Sequence, residues 1–258
     1  MLTGQYAVNF IQGLQYGKDA NKQLDDKHIQ IVSTCKHFVA NSMENWYNYS
    51  RHNYDAMVSK ADLADYYFPA FKACVMEGKV MSIMCSYNAG KMTTLPLSGF
   101  TCVSAHLRQC LSLTCTSNTA SVNGVPMCAN TEMLNGTLRN AWKFDGYVTS
   151  DCGAVNNVWT PEPNGHGYTT ATKAAAISVI AGTDVDCGSQ YSQYFEKAVA
   201  AGDLKEEQID LALTRLTKAQ IKLGLFDAGK DKQPYFQLGG ESIDNAEHQA
   251  LAHEAAQQ

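Results

Sequence analysis

Short apolar runs alternate along this chain with longer segments of helical periodicity, and that alternation restricts the fold more than any other feature. Val80-Met81-Ser82-Ile83-Met84-Cys85-Ser86-Tyr87 and Gly146-Tyr147-Val148-Thr149-Ser150 read as buried strands. Ile29-Gln30-Ile31-Val32-Ser33-Thr34-Cys35 reads as a third, and Thr183-Asp184-Val185-Asp186 as a short fourth. Residues 3–16, 59–77, 131–143, 169–181, 191–201, 205–223 and 246–256 read as helices. In 59–77, Leu63, Tyr66, Tyr67, Phe71 and Val75 form the apolar stripe, Pro69 predicts a kink and Gly78 a stop. Strands alternating with helices predict parallel βαβ units. Four strands are half of what a closed (β/α)8 barrel requires, although 258 residues is a whole barrel's length. The expected fold is α/β: an incomplete (β/α)8 barrel of the TIM type, with parallel strands.

Charge and composition exclude several functions. Lys and Arg total 20 against 25 Asp and Glu, and no basic stripe is present, which argues against nucleic acid. No apolar run approaches the roughly 18 residues of a membrane helix. Nine cysteines and two glycosylation sequons, Asn48-Tyr49-Ser50 and Asn135-Gly136-Thr137, favour a secreted protein. The opening Met1-Leu2-Thr3-Gly4-Gln5-Tyr6 has neither basic nor apolar signal character, so a secreted chain would lack its front end here. A reduced protein with buried thiols is the alternative.

Residues 90–121 stand apart. They hold no Asp or Glu, eleven Ser or Thr, and three of the nine cysteines. A loop this long is improbable inside a compact domain. Either it is a surface insertion or it is a translated intron. Gly90-Lys91 can be encoded by a sequence containing a splice donor, and excision would join Asn88-Ala89 to Val122-Asn123-Gly124-Val125-Pro126.

In a parallel barrel, chemistry sits at the C-terminal ends of strands. Those ends carry Lys36-His37, then Met84-Cys85-Ser86-Tyr87-Asn88, then Ser150-Asp151-Cys152-Gly153. A polar, aromatic stretch at 41–56 reads as a long functional loop. A cation, an imidazole, a phenol and a carboxylate converging on one mouth suit a polyhydroxylated substrate and a carboxylate nucleophile. Asp151 before Cys152-Gly153 is equally readable as a helix N-cap. No common zinc motif, GxGxxG, P-loop or GxSxG is present, so neither metal, cofactor nor serine chemistry is expected.

Lys36-His37-Phe38-Val39-Ala40-Asn41, Met84-Cys85-Ser86-Tyr87-Asn88, Asn123-Gly124-Val125-Pro126 and Phe144-Asp145-Gly146-Tyr147-Val148-Thr149-Ser150-Asp151-Cys152-Gly153 together resemble glycoside hydrolase family 3. Order and spacing agree apart from 90–121, and Asn45-Trp46 with Asp151-Cys152 resembles the plant and fungal β-xylosidase branch. The resemblance implies that Asp151 is the nucleophile, forming a covalent glycosyl-enzyme in a retaining exo-acting mechanism. It implies that Lys36, His37 and Arg51 contact the sugar, that Met84 walls its pocket, and that Tyr87 stands beside the nucleophile. The substrate would be an oligosaccharide or aryl β-glycoside, xylo-oligosaccharides first. A β-glucosidase and a non-catalytic sugar-binding remnant are the alternatives. The family's general acid comes from a second domain, so none is expected in this chain, and its activity would be impaired. On this basis residues 1–240 form a partial barrel domain and 241–258 begin a linker to an α/β domain, in a secreted protein.

Overall fold

The computed structural model describes residues 2–17, 27–93, 124–229 and 238–258. Helix α1 (Leu2–Tyr16) leads to strand β1 (Thr34–Phe38), a hairpin of β2 (Asn45–Trp46) and β3 (Tyr49–Ser50), and β4 (Asp55–Ser59). Next come α2 (Lys60–Asp62), a π-helical stretch (Leu63–Tyr67) and α3 (Phe68–Met76). Strands β5 (Ser82–Cys85), β6 (Ala89–Thr93) and β7 (Val125–Pro126) precede a second π-helical stretch (Glu132–Ala141) and β8 (Tyr147–Ser150). Helices α4 (Ala154–Trp159), α5 (Ala171–Ala181), α6 (Gln190–Ala200), α7 (Glu206–Lys222) and α8 (Ala246–Gln257) follow.

The central sheet is parallel, in the order β1-β5-β8, and Thr149 adds a parallel bridge to Val185. The expected strand at 183–186 is therefore a single bridge. β5 lies in the middle, with Ser82 on one face and Ile83 and Cys85 on the other all completely buried, as a parallel strand covered on both faces should be. The sheet is open among the described residues, as an incomplete barrel would be. The second sheet runs β4-β6-β7.

The core gathers where helices cover the sheet. Phe38 meets Phe71 and Trp142 edge-on, with ring centroids 5.1 and 6.0 Å apart. Ile83, Val148, Leu134 and Leu138 fill the same cluster with no exposed surface. Each contributes about 1.5–3 kcal/mol relative to exposure. Gly146 lies so close to the Met81 carbonyl that a Cβ would collide with it, which lets β8 enter the sheet. Disulfides Cys35–Cys74, Cys85–Cys128 and Cys152–Cys187 tie strand ends to neighbouring segments. The remaining three cysteines lie outside the described residues.

Several sequence expectations shift. The strand expected over 29–35 occupies Thr34–Phe38 instead, because the Ile29 and Gln30 amides donate to the ends of α7 and α1, at Lys222 and Gln15. Ile29 is buried against Met81 and Ala219, so its burial signals helix packing, not sheet. The stretch at 41–56 holds the short hairpin and the start of β4. In the helix expected over 59–77 the register changes from π to α at Phe68, just before Pro69, which has no N–H to give. The helix expected over 131–143 is π-helical over Glu132–Ala141.

Of the unusual segment, residues 94–121 lie outside the described residues, and Gly90 belongs to β6. Its flanks meet: Ala89 pairs with Pro126 and Gly90 with Val125, antiparallel. The Met127 amide donates to the Asn88 carbonyl at 2.9 Å.

Candidate active site

Three parallel strands end on one rim, and Asp151 is the first residue past β8. Its amide donates to the Cys85 carbonyl at 3.1 Å, so the sheet's ladder fixes its backbone. The Cys152 amide donates to Asp151 Oδ1 at 2.8 Å. His37 Nε2 lies 3.2 Å from Asp151 Oδ2. The carboxylate thus faces the imidazole across the rim. It is not the cap of the following helix: α4 starts from Gly153, in the left-handed region at φ +83°, with no side-chain cap.

His37 is part-buried in β1, where the register breaks between Cys35 and Phe38. The peptide bonds Lys36–His37 and Phe38–Val39 are cis. Burial lowers the His37 pKa, Asp151 pulls it back up, and Lys36 lowers it further. Lys36 itself is exposed and lines the groove between α1 and α3, so it acts on the rim as a nearby positive charge.

Tyr87, just past β5, is the best-braced group on the rim. Its hydroxyl donates to the Cys152 carbonyl at 2.7 Å. Its carbonyl accepts from Nε2 of buried His166 at 2.7 Å. The His52 ring stands edge-on to it at 4.4 Å, and the Arg51 guanidinium lies 5.1 Å over its face. Burial raises the phenol's pKa, and the Asp151 carboxylate beside it raises it further. Met84 sits within β5, half-buried, paired with Thr149. Arg51 joins the rim from the hairpin, paired with the exposed Glu44 at 3.5 Å.

A supporting layer was invisible in the sequence. His52 Nδ1 accepts from Asn157 Nδ2 at 2.7 Å, across 105 residues of chain. Burial, then Arg51, lowers the His52 pKa, in the direction that favours the neutral ring this acceptor needs. Burial also lowers the His166 pKa, against its bond to the Tyr87 carbonyl. Cys187 closes the rim: its amide donates to Ser150 Oγ at 2.9 Å and its carbonyl accepts from the Gly153 amide at 2.7 Å.

Below the rim, buried Asp184 accepts from Arg139 at 2.6 Å, Arg215 at 2.8 Å and the Val148 amide at 2.8 Å. This node locks the entry of β8 to α7 and the second π-helical stretch. Among the described residues no group of three His, Cys, Asp or Glu side chains is placed to hold a metal ion. No helix among them is long and apolar enough to cross a membrane.

A carboxylate facing an imidazole, with a phenol and a guanidinium alongside, at the C-terminal rim of parallel strands, suits a polyhydroxylated ligand. The match to the glycosyl hydrolase family 3 N-terminal domain spans residues 1–219, and the chain belongs to that family. It is 38% identical to the probable exo-1,4-beta-xylosidase bxlB of Aspergillus terreus, over 98% of this chain and 28% of that protein. It is 34% identical to beta-xylosidase/alpha-L-arabinofuranosidase 1 of Medicago sativa subsp. varia, over 100% of this chain and 28% of that protein. A solved GH3 exo-beta-xylosidase (XlnD), in complex with a xylobiose aziridine activity-based probe, superposes with a TM-score of 0.78. It is 33% identical, over 99% of this chain and 28% of that one. A beta-glucosidase from Listeria innocua, 23% identical with a TM-score of 0.70 over 98% of this chain and 28% of that one, shares the fold. The chain thus spans little more than a quarter of the length of these relatives.

Proposed function

We propose that Asp151 is the nucleophile of a retaining exo-acting β-glycosidase site with a preference for β-linked xylose. The observation that carries this is the Asp151 carboxylate at the end of β8, 3.2 Å from His37 Nε2. An oxygen of Asp151 attacks the anomeric carbon as the glycosidic C–O bond breaks, giving an aspartyl glycosyl-enzyme that water then hydrolyses. His37 and Arg51 hold sugar hydroxyls, Lys36 contributes positive charge to the rim, and Met84 walls the pocket. Tyr87 stands against the nucleophile. The xylose preference is carried over from the names of the plant and fungal relatives, β-glucosidase being the alternative.

Departure of the leaving oxygen needs a proton. Glu44 and Glu162 are both exposed, which suits neither to be a protected general acid. We therefore assign the acid to the longer protein and expect this chain to be impaired on poor leaving groups. Residues 241–258 lie outside the family match, and their helix α8 is exposed throughout, which fits a linker to that unit. Three disulfides favour an oxidising, extracellular location.

The test compares 2,4-dinitrophenyl β-xyloside with xylobiose. The chain should turn over the first and act on the second at least about a hundredfold more slowly, because only xylobiose needs the acid. Asp151→Asn should abolish both. Equal rates would place an acid within the chain. Unchanged turnover in Asp151→Asn would remove Asp151 from the mechanism, and sugar binding without turnover would favour a binding remnant.

A further inference from the structure

The residue after Asp151 is held by a bond that the reaction itself does not use. A disulfide joins Cys152, which is exposed, to Cys187, which is half-buried. The backbone of Cys152 meets the site twice. Its amide donates to Asp151 Oδ1 at 2.8 Å, and its carbonyl accepts from the Tyr87 hydroxyl at 2.7 Å. Wherever Cys152 moves, the carboxylate and the phenol beside it lose a partner.

The turn that carries Cys152 is lightly held. The Asp151 amide is bonded to the Cys85 carbonyl of β5, but the Cys152 amide is spent on a side chain. Gly153 is left-handed at φ +83°, and a Cβ built on it would meet nothing within 4 Å, so that side of the turn is open. Helix α4 starts from Gly153 without a side-chain cap. The Gly153 amide donates to the Cys187 carbonyl at 2.7 Å, so this tie too ends on Cys187. Cys187 is anchored from both sides. Its amide donates to Ser150 Oγ at 2.9 Å, and its neighbour Asp186 caps α6, accepting from the Gln190 amide at 2.7 Å. The disulfide thus fastens a loose turn to a fixed post.

We propose that the Cys152–Cys187 disulfide positions the Asp151 carboxylate, and that the site is therefore redox-sensitive: competent with the bond closed and slow with it open. This rests on the reading of Asp151 given above. A dithiol opens the bond in two exchanges. One thiolate attacks a sulfur of the pair, breaking the S–S bond and forming a mixed disulfide. The reagent's second thiolate then displaces the protein sulfur, leaving a cyclic disulfide of the reagent and two protein thiols. Two electrons and two protons have passed to the protein. Access selects the bond that opens first. Cys85 and Cys128 are 0% and 1% exposed and Cys74 is 4% exposed, whereas Cys152 is open to solvent.

The experiment treats the whole chain with graded dithiothreitol and maps the opened cysteines by alkylation and peptide mass. One readout is the rate at which 2,4-dinitrophenyl 2-deoxy-2-fluoro-β-xyloside labels the chain. The other is hydrogen exchange of the peptide carrying Cys152 and Gly153, whose amides are bonded when the disulfide is closed. With this bond alone opened, the maximal labelling rate should fall about tenfold to a hundredfold, the cost of a misplacement near 1 Å. The reagent concentration giving half that rate should not change. Exchange of the Cys152 peptide should quicken about tenfold while that of β8 stays the same. Glutathione disulfide should restore both readouts, and Cys187→Ser should match the opened chain without reductant. Unchanged labelling with the bond open would overturn the proposal. So would loss of the circular dichroism signal on opening, which would make the bond a staple of the whole fold. If the closed chain takes no label, the reading of Asp151 fails and exchange alone decides: quickened exchange keeps the disulfide as the clamp of this turn, and unchanged exchange overturns it.

Discussion

Replacing Asp184 by asparagine should destabilise the chain far more than an ordinary surface change. The Asp184 side chain has no exposure, and its oxygens accept from Arg139 at 2.6 Å, Arg215 at 2.8 Å and the Val148 amide at 2.8 Å. Asparagine keeps the shape, removes the charge and turns an N–H₂ toward one of the guanidinium groups. Burial lowers the Arg139 pKa to about 10 even with the Asp184 carboxylate holding it up, and the variant leaves this guanidinium, only 10% exposed, without its anion. Breaking one side of a buried ion pair costs about 3–5 kcal/mol. For a chain of this size that is a fall in Tm of roughly 6–20 °C. Burial also raises the Asp184 pKa despite both arginines, the sign of a node whose desolvation outweighs its attraction. Removing the whole node should therefore be tolerated: Asp184→Leu with Arg139→Met and Arg215→Met should recover most of the loss. The assay is thermal and urea unfolding followed by circular dichroism. A loss below about 1 kcal/mol for Asp184→Asn would mean that water reaches the two arginines, and the reasoning from burial would be refuted.

Burial lowers the pKa of His37, His52 and His166, so the unfolded chain binds more protons than the folded one near neutrality. Stability should be complete above about pH 6.5 and fall as the solution is acidified, read as a lower Tm at pH 5.5 than at pH 7.5, with His166→Gln flattening the slope; an equal or higher Tm at pH 5.5 would contradict it. Tyr87→Phe loses the 2.7 Å bond to the Cys152 carbonyl, which should cost about 1 kcal/mol of stability and slow turnover of an activated xyloside roughly tenfold. Expressed in a glycosylating host, the protein should carry no glycan at Asn135, whose Nδ2 donates to the Ile180 carbonyl at 3.0 Å from within a helix. A glycopeptide containing Asn135 in peptide mapping would show that this helix is not formed as described.

The sequence declared its elements where one local pattern sufficed. β5 is buried along nearly its whole length and β8 alternates half-buried with buried residues, and the ends of those runs located Tyr87 and Asp151. β4 has no legible boundary in the sequence because Asp55-Ala56-Met57-Val58-Ser59 follows a polar stretch without a break, and its partner β6 leads straight into the unusual segment. β1 starts later than the apolar run at 29–35 suggests because Ile29 is apolar for the sake of α7 and not of the sheet. Within the site, Asp151, His37, Tyr87 and Arg51 come together, while Lys36 faces a different groove. His52, Asn157 and His166 were unreadable for another reason. Their function as braces exists only once segments about a hundred residues apart are folded against each other, and no local spacing encodes that. Disulfide partners were hidden in the same way, since Cys152 and Cys187 meet only because the Thr149–Val185 bridge aligns their strand ends.

The central claim is that Asp151 forms a covalent bond to the sugar. Intact-mass spectrometry after incubation with an activated 2-deoxy-2-fluoro-β-xyloside reads this directly, because the good leaving group needs no acid and the fluorine slows release of the sugar. One adduct is expected, on the peptide containing Asp151, and none in Asp151→Asn. A folded chain that takes no adduct, or takes it on another residue, would contradict the account.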